Sequence, residues 1–242
     1  MPIHPRKNNY GEQVHLHNPS TATAMRTWHD DEATATCLPD GELPPTLHGI
    51  ALQPWLDTPH SCEGWNQDTG INLDLPEACM VELDKKIAAG AVIIEPDGRV
   101  WVTHPSNQFG GYQVTFPKGR QEPGLSLQAT AIKECWEETG LRIRIHSLLG
   151  DFKRTATLTR LYLAERVSGT PASMGWESQA VSLAPLLALG SLLNGAADKP
   201  VLAALQKTCT PSNISESPLV ATGPSPSSAA KTETVSPSVR FS

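Results

Sequence analysis

A turn followed by a helix, over residues 116–141, constrains this 242-residue chain more than any other stretch. Its turn, residues 117–124, reads PKGRQEPG, and its two glycines and two prolines cannot continue a helix or a central strand. Ser126 suits the N-cap of a helix, and Gly140 suits the position just past a helix C-terminus. The pattern therefore predicts a helix over residues 127–139.

Three glutamates on this predicted helix form the acidic ridge, which consists of Glu134, Glu137 and Glu138. Their spacing places them within about 100° of arc, one turn apart along the helix axis. Ile132 and Trp136 fall on the opposite side, so the helix is amphipathic with one apolar face for a core. Like charges one turn apart cost a helix about 0.2–0.5 kcal/mol per pair, so the ridge needs a compensating interaction.

Two interpretations of the acidic ridge are open at this point. A divalent cation is one, because Mg²⁺ takes carboxylate oxygens and completes its shell with waters and substrate phosphates. The other is an ordinary solvated acidic face, partly neutralised by Lys133, which lies one turn before Glu137.

The whole segment resembles the box that defines the Nudix hydrolases. Gly119 stands at the opening glycine of that box, and KECWEETGL, residues 133–141, stands at its closing helix with the correct spacing and all three glutamates. Two positions depart from the family pattern, since Leu125 replaces a glutamate and Lys133 replaces an arginine. In the family those two residues form a charge pair that braces the loop against the helix. The resemblance implies that apolar packing of Leu125 replaces this brace.

The resemblance also implies a reaction, a cofactor and a set of site residues. The expected reaction is hydrolysis of a pyrophosphate bond in a nucleoside diphosphate linked to another moiety, such as an ADP-ribose-like compound or a dinucleoside polyphosphate. The expected cofactor is Mg²⁺ or Mn²⁺, and the expected partner is a small-molecule nucleotide diphosphate. The proposed residues are Gly119, Glu134, Glu137 and Glu138 for the metal, Glu134, Glu137 and the later-loop Glu177 for catalysis, and Lys118, Arg120 and Arg154 for phosphate contacts, with Arg160 as a weaker candidate.

Strands before and after the central helix, with further helices late in the chain, predict an α/β fold: an α/β/α sandwich on a mixed β-sheet. The Nudix resemblance implies the same architecture. Apolar runs and alternating patterns indicate strands at 87–94, 99–103, 112–116, 141–149 and 155–167, and helices at 183–193 and 199–206.

The chain divides by composition into three parts. Residues 1–84 are expected to be an irregular extension packed on the core, residues 85–207 the Nudix domain, and residues 208–242 a disordered Ser/Pro-rich tail. Within the extension, Trp55 and Trp65 either cover the core or stack on a substrate base, and burial is the commoner role. His15 and His17 would share one face of a short strand, which is usually surface.

Charge and cysteine usage narrow the class of protein. The net charge of −6 argues against a general nucleic-acid binder, and no apolar run approaches the length of a membrane span. Five cysteines without a C-x-x-C motif fit a reduced, cytoplasmic protein. A homodimer is left open, and the alternative function is a non-catalytic nucleotide-binding or regulatory protein on the same fold.

The tail gives the first testable prediction. Removing residues 207–242 should leave the melting temperature and activity unchanged, because this segment has almost no aromatic residues with which to build a core. Differential scanning calorimetry of the shortened and full-length chains checks this. A large fall in melting temperature would show that the predicted domain boundary is wrong.

Overall fold

The computed structural model describes residues 2–16, 18–107 and 111–208. The predictions for His17 and for residues 209–242 of the tail lie outside the described residues. Among the described residues, no helix combines the length and apolar character needed to cross a bilayer. The strands are β1 (Ile3–Lys7), β2 (Gln13–His15), β3 (Ala35–Cys37), β4 (Thr46–Leu47), β5 (Ile50–Ala51), β6 (Lys86–Ile94), β7 (Val100–Pro105), β8 (Lys118–Arg120), β9 (Leu141–Lys153), β10 (Thr157–Gly169) and β11 (Ser178–Ala184), and the α-helices are α1 (Cys62–Asn66), α2 (Leu127–Thr139), α3 (Leu189–Leu192) and α4 (Lys199–Thr208).

A mixed seven-stranded sheet organises the structure, with β6 near its centre. Strand β10 runs parallel to β6, with Leu161 opposite Gly90, while β7 and β8 pair with β6 in antiparallel fashion. The path of neighbouring strands is β3-β11-β7-β6-β10-β9, and β8 lies off this path beside the first half of β6. Strand β8, which precedes the helix that carries the acidic ridge, is therefore paired directly with the central strand β6.

The two faces of the sheet carry separate apolar cores. Helix α2 packs on one face through buried residues such as Ile132 and Cys135, together with tryptophans from the N-terminal part of the chain. Helices α3 and α4 cover the other face, where Leu189, Val201 and Leu205 are fully buried. The predicted α/β/α sandwich on a mixed sheet is confirmed.

Several predicted elements match the structure, and two do not. Helix α2 covers residues 127–139 as predicted. The prediction of a strand over 112–116 is wrong: only Thr115 makes a bridge there, and the strand is β8, which pairs with β6 after the turn. The predicted helix at 183–193 begins instead as the end of strand β11, because all seven residues of β11 are buried in the sheet and burial overrides helix propensity.

The N-terminal part of the chain packs on the same core. Strand β3 joins the edge of the main sheet beside β11, and Trp28 lies 5.9 Å from Trp101, centroid to centroid. Trp55 and Trp65 are both buried, and their rings meet edge to face at 5.6 Å. Burial is therefore the role that the structure gives these two tryptophans.

A buried ion pair ties the N-terminal hairpin β4–β5 to the sheet. The Arg166 guanidinium donates to the Glu95 carboxylate at 2.6 and 3.2 Å and to the Leu47 carbonyl at 3.0 Å. The Trp101 indole N–H also donates to Glu95, at 2.7 Å. Both charged side chains are almost completely buried, so each charge depends on the other for compensation.

Glu95→Ala should lower the free energy of unfolding by about 3–5 kcal/mol, because it leaves the Arg166 charge buried without its partner. Urea unfolding measures the loss. Glu165→Ala is the control: it removes the exposed partner of Arg144, so it should cost only about 0–1 kcal/mol. Equal losses for the two variants would contradict the central role of the buried pair.

Candidate active site

Helix α2 is capped at both ends by the residues that the sequence indicated. The Ser126 side chain accepts from the Ala129 amide at 3.1 Å, and Gly140 ends the helix in the left-handed conformation with φ 71°. A Cβ at Gly140 would collide with the Thr170 carbonyl, so only glycine fits this end. The caps fix where the acidic ridge lies along the helix.

The first ridge carboxylate faces the turn that leads into the helix. Gly119 lies on β8 opposite Ala89, and the Glu134 carboxylate occupies the space that a side chain at 119 would fill. The backbone N–H of Lys118 donates to the Glu138 carboxylate at 3.0 Å. Two ridge carboxylates therefore lie directly against β8.

Burial makes these two carboxylates difficult to ionise. Burial raises the pKa of Glu134 to about 9, and repulsion from Glu138 and Glu137 acts in the same direction. Burial likewise raises the pKa of Glu138 to about 7, although the Lys118 cation opposes this shift. A site that disfavours negative charge in this way would gain from a cation.

Glu137 points to a different partner. Lys133 donates to both Glu137 carboxylate oxygens at 2.9 Å and to Glu122 at 2.9 Å. These contacts join the turn to the helix by charge, through Glu122 rather than through residue 125. Leu125 is buried, as expected for apolar packing at this position, and a charged brace between the turn and the helix is present as well, formed by Glu122 and Lys133.

The predicted phosphate-contacting residues lie in different environments. Lys118 is half-buried, with its ammonium 5.4 Å from the centre of the Tyr112 ring, and burial lowers its pKa. Arg154 is buried and bonds to Asp198 at 2.6 Å. Arg120 is exposed at the end of β8. Arg160 makes two 2.8 Å bonds to Asp151, which explains its orientation without any substrate.

The later-loop acid Glu177 lies beside the acidic ridge. The Gly175 amide donates to the Glu137 carbonyl at 2.7 Å and the Ser106 amide donates to the Glu177 carbonyl at 2.8 Å, so the loop is fixed to the end of helix α2. Glu177 is an exposed residue, yet partial burial and repulsion from Glu137 raise its pKa. Sequence reasoning therefore selected an acid that the fold brings to the ridge.

A family profile for the NUDIX domain matches residues 84–205, about half of the chain. The chain belongs to the NUDIX family. The matched residues contain the whole acidic ridge, the β8 turn and the Glu177 loop.

Individual relatives are more distant. An RNA pyrophosphohydrolase from Caulobacter vibrioides (strain NA1000 / CB15N) is 32% identical over 103 residues, which cover 41% of this chain and 58% of that protein. This chain thus spans less than two thirds of that relative. Among solved structures, a NUDIX hydrolase from Nitrosomonas europaea has a TM-score of 0.44 at 19% identity, covering 51% of this chain and 89% of that chain. A C. elegans Ap4A hydrolase has a TM-score of 0.41 at 20% identity, covering 50% and 95%.

The donor set of this Nudix box fits a divalent cation in part. Glu134, Glu138 and the turn at Gly119 supply carboxylate and carbonyl oxygens, the ligands that Mg²⁺ prefers. Within the described ranges, no three His, Cys, Asp or Glu side chains are arranged to hold a metal ion. Glu137, the remaining carboxylate of the ridge, is bonded to Lys133. A third carboxylate would therefore require Glu137 to leave Lys133.

Sequence reasoning missed residues that hold the Nudix box from outside. The Glu77 carboxylate accepts from the backbone amides of Leu127 and Gln128 at 3.0 and 2.5 Å, and so caps helix α2. The Asn66 side chain bonds to the loop just before the helix. No sequence pattern links these residues to positions 50–60 residues later. Glu122, by contrast, is the one acid in the turn and could have been identified.

Leu125→Ala should lower the free energy of unfolding by about 2–3 kcal/mol, because Leu125 is 4% exposed within the core under helix α2. Leu73→Ala is the matched control, since the same truncation at a side chain that is 93% exposed should change stability by less than about 0.5 kcal/mol. Chemical denaturation of both variants provides the comparison. An unchanged midpoint for Leu125→Ala would mean that its packing adds nothing.

Proposed function

We propose that this protein hydrolyses a pyrophosphate bond in a nucleoside diphosphate linked to another moiety, using Mg²⁺ or Mn²⁺. One observation carries the proposal: two half-buried carboxylates, Glu134 and Glu138, lie against the β8 turn with the Lys118 cation beside them. Holding two carboxylates close together and partly out of water costs free energy, and a purely structural role does not explain that cost. A divalent cation held by these carboxylates would offset their repulsion and would supply positive charge for a phosphate substrate.

The Nudix residues present can divide the work as follows. Glu134 and Glu138 would hold the cation with the Gly119 carbonyl, and Lys118 and Arg120 would contact phosphate oxygens. When bound, the cation would offset phosphate charge and lower the pKa of a coordinated water. Arg154 would need to leave Asp198 before it could contact a substrate.

A general base must reach the attacking water, and three acids compete for this role. Glu177 is held beside the ridge by its loop and is exposed, so it is free to approach a water molecule at the open side. Glu137 would first have to break its hydrogen bonds to Lys133. Glu134 would already serve the cation. We favour Glu177 as the base because its position demands the fewest broken contacts.

Two classes of substrate are compatible with this function. A small nucleotide such as an ADP-ribose-like compound or a dinucleoside polyphosphate follows from the Nudix box and from a net charge of −6, which disfavours polynucleotides. An RNA that carries a pyrophosphate bond is the second candidate, because the Caulobacter relative is named an RNA pyrophosphohydrolase. We place the small nucleotide first.

A panel assay tests the proposal. The purified chain is incubated with ADP-ribose, a dinucleoside polyphosphate and a 5′-triphosphorylated RNA, each with Mg²⁺, Mn²⁺ or a chelator. Metal-dependent release of a monophosphate product from one of the small nucleotides is the expected result. Cleavage of the RNA alone would favour the second candidate. Tight nucleotide binding without turnover would instead favour a binding or regulatory protein.

Glu138→Gln and Glu134→Gln should each lower kcat by about a hundredfold or more, because each removes a charge that would hold the cation while keeping side-chain size. Circular dichroism should show an unchanged fold. Glu165→Gln, at an exposed carboxylate on β10, is the control and should keep full activity. Near wild-type hydrolysis by both ridge variants would mean that the ridge is not the active site.

A further inference from the structure

The loop between β8 and helix α2 is held by a residue far away in the sequence. We propose that Asn66, at the end of helix α1, is a positioning residue that clamps this loop and so sets the spacing between the Gly119 turn and the acidic ridge. This inference rests on the proposed hydrolase function for its catalytic consequence, but not for the clamp itself. Asn66 lies before the region that matches the NUDIX domain, which begins at residue 84.

The Asn66 side-chain amide makes two bonds to the loop backbone. Its Nδ2 donates to the Gly124 carbonyl at 2.8 Å, and its Oδ1 accepts from the Ser126 amide at 2.9 Å. One amide thus satisfies an acceptor and a donor that neither helix α2 nor the sheet pairs. The two bonds also fix which side-chain atom is oxygen and which is nitrogen, since the reverse orientation would satisfy neither.

Asn66 adds an outside support to a loop that also has internal bonds. The Gln121 side chain donates to the Leu125 carbonyl at 2.6 Å, and the Leu125 amide donates to the Glu122 carbonyl at 3.2 Å. The first half of the loop is held within the Nudix box, where the Gln121 amide donates to the Ile87 carbonyl and Glu122 bonds to Lys133. In the second half of the loop, Gly124 has φ +88°. Glycine adopts this backbone conformation readily, but it adopts others as readily, so the residue itself does not hold the loop in place. Asn66 bonds to Gly124 and to Ser126, on either side of Leu125, so it restrains the backbone where the loop enters helix α2.

Helix α1 is anchored to helix α2 and capped, so it can support the loop. Trp65, the neighbour of Asn66, is 4% exposed and packs 5.8 Å from Trp136 on helix α2. The Ser61 side chain caps α1 by accepting from the Gly64 amide at 3.1 Å. Helix α1 therefore contacts the loop through Asn66 and contacts helix α2 through Trp65, which fixes one relative to the other.

The clamp would affect catalysis by fixing the position of Gly119 relative to Glu134. Gly119 and Glu134 must stay in close contact for the turn and the ridge to serve one cation, and the loop that Asn66 holds connects them. A displacement of about 1 Å in a catalytic arrangement can cost roughly a hundredfold in rate. Loss of the clamp should therefore lower kcat clearly, while the free energy of unfolding and KM change little.

Three variants test the clamp. Asn66→Ala removes both bonds, and Asn66→Asp keeps the acceptor for Ser126 but places a carboxylate oxygen against the Gly124 carbonyl. Gln67→Ala is the matched control, because Gln67 is the exposed neighbour and its side chain bonds to Glu63 on the same helix and not, among the described residues, to the loop. We expect kcat to fall about tenfold or more in both Asn66 variants, with KM within about twofold and the control unchanged.

Hydrogen–deuterium exchange of the metal-free, substrate-free protein gives a readout that needs no activity. Amides of residues 121–128 should exchange faster in Asn66→Ala than in the wild type and in Gln67→Ala, while strand β6 keeps its protection. Unchanged exchange in 121–128 would overturn the clamp. A fall in kcat that matches only the unfolded fraction at the assay temperature would overturn the positioning role.

The two proposals fail in distinguishable ways. If the wild-type chain hydrolyses nothing in the substrate panel, the proposed function fails, and exchange in residues 121–128 alone decides whether Asn66 holds the loop. If the wild-type chain is active and Asn66→Ala matches it in kcat and exchange, the function stands and the clamp is wrong.

Discussion

Contact between two half-buried ridge carboxylates and strand β8, where Gly119 has no side chain, is the constraint on which this site depends. Glu134 fills the space beside Gly119, and Glu138 accepts from the backbone of Lys118. Neither contact forms unless β8 is held on the central strand β6 and helix α2 lies flat on the same face of the sheet. Strand pairing and the apolar core thus hold Glu134 and Glu138 close together in spite of the repulsion between their carboxylates.

The chain before the NUDIX match supplies much of what keeps helix α2 in place. Glu77 caps the first backbone amides of the helix, where a negative charge is also favoured by the helix dipole. Asn66 secures the preceding loop, and Trp65 packs on Trp136 on the outer side of the helix. The N-terminal part is therefore a structural component of the candidate site.

Most of the cationic side chains near the site have internal partners. Lys133 joins Glu122 to Glu137, Arg154 pairs with the buried Asp198, and Arg160 pairs with Asp151. Such pairing neutralises these carboxylates without a ligand, and it limits which Lys and Arg side chains can meet a phosphate without breaking a contact. Lys118 and the exposed Arg120 are the candidates for that role that require the least rearrangement.

The sequence by itself determined helix α2, its caps, the acidic ridge and the fold class, because these depend on local spacing and on residue types within one turn of each other. It also led to Glu177, although nothing local showed that this loop meets the helix. Only the tertiary structure decided that Glu137 is held by Lys133, that β11 is a strand, and that Asn66 holds the loop. Those outcomes depend on burial and on contacts between distant segments, which neither propensity nor periodicity encodes.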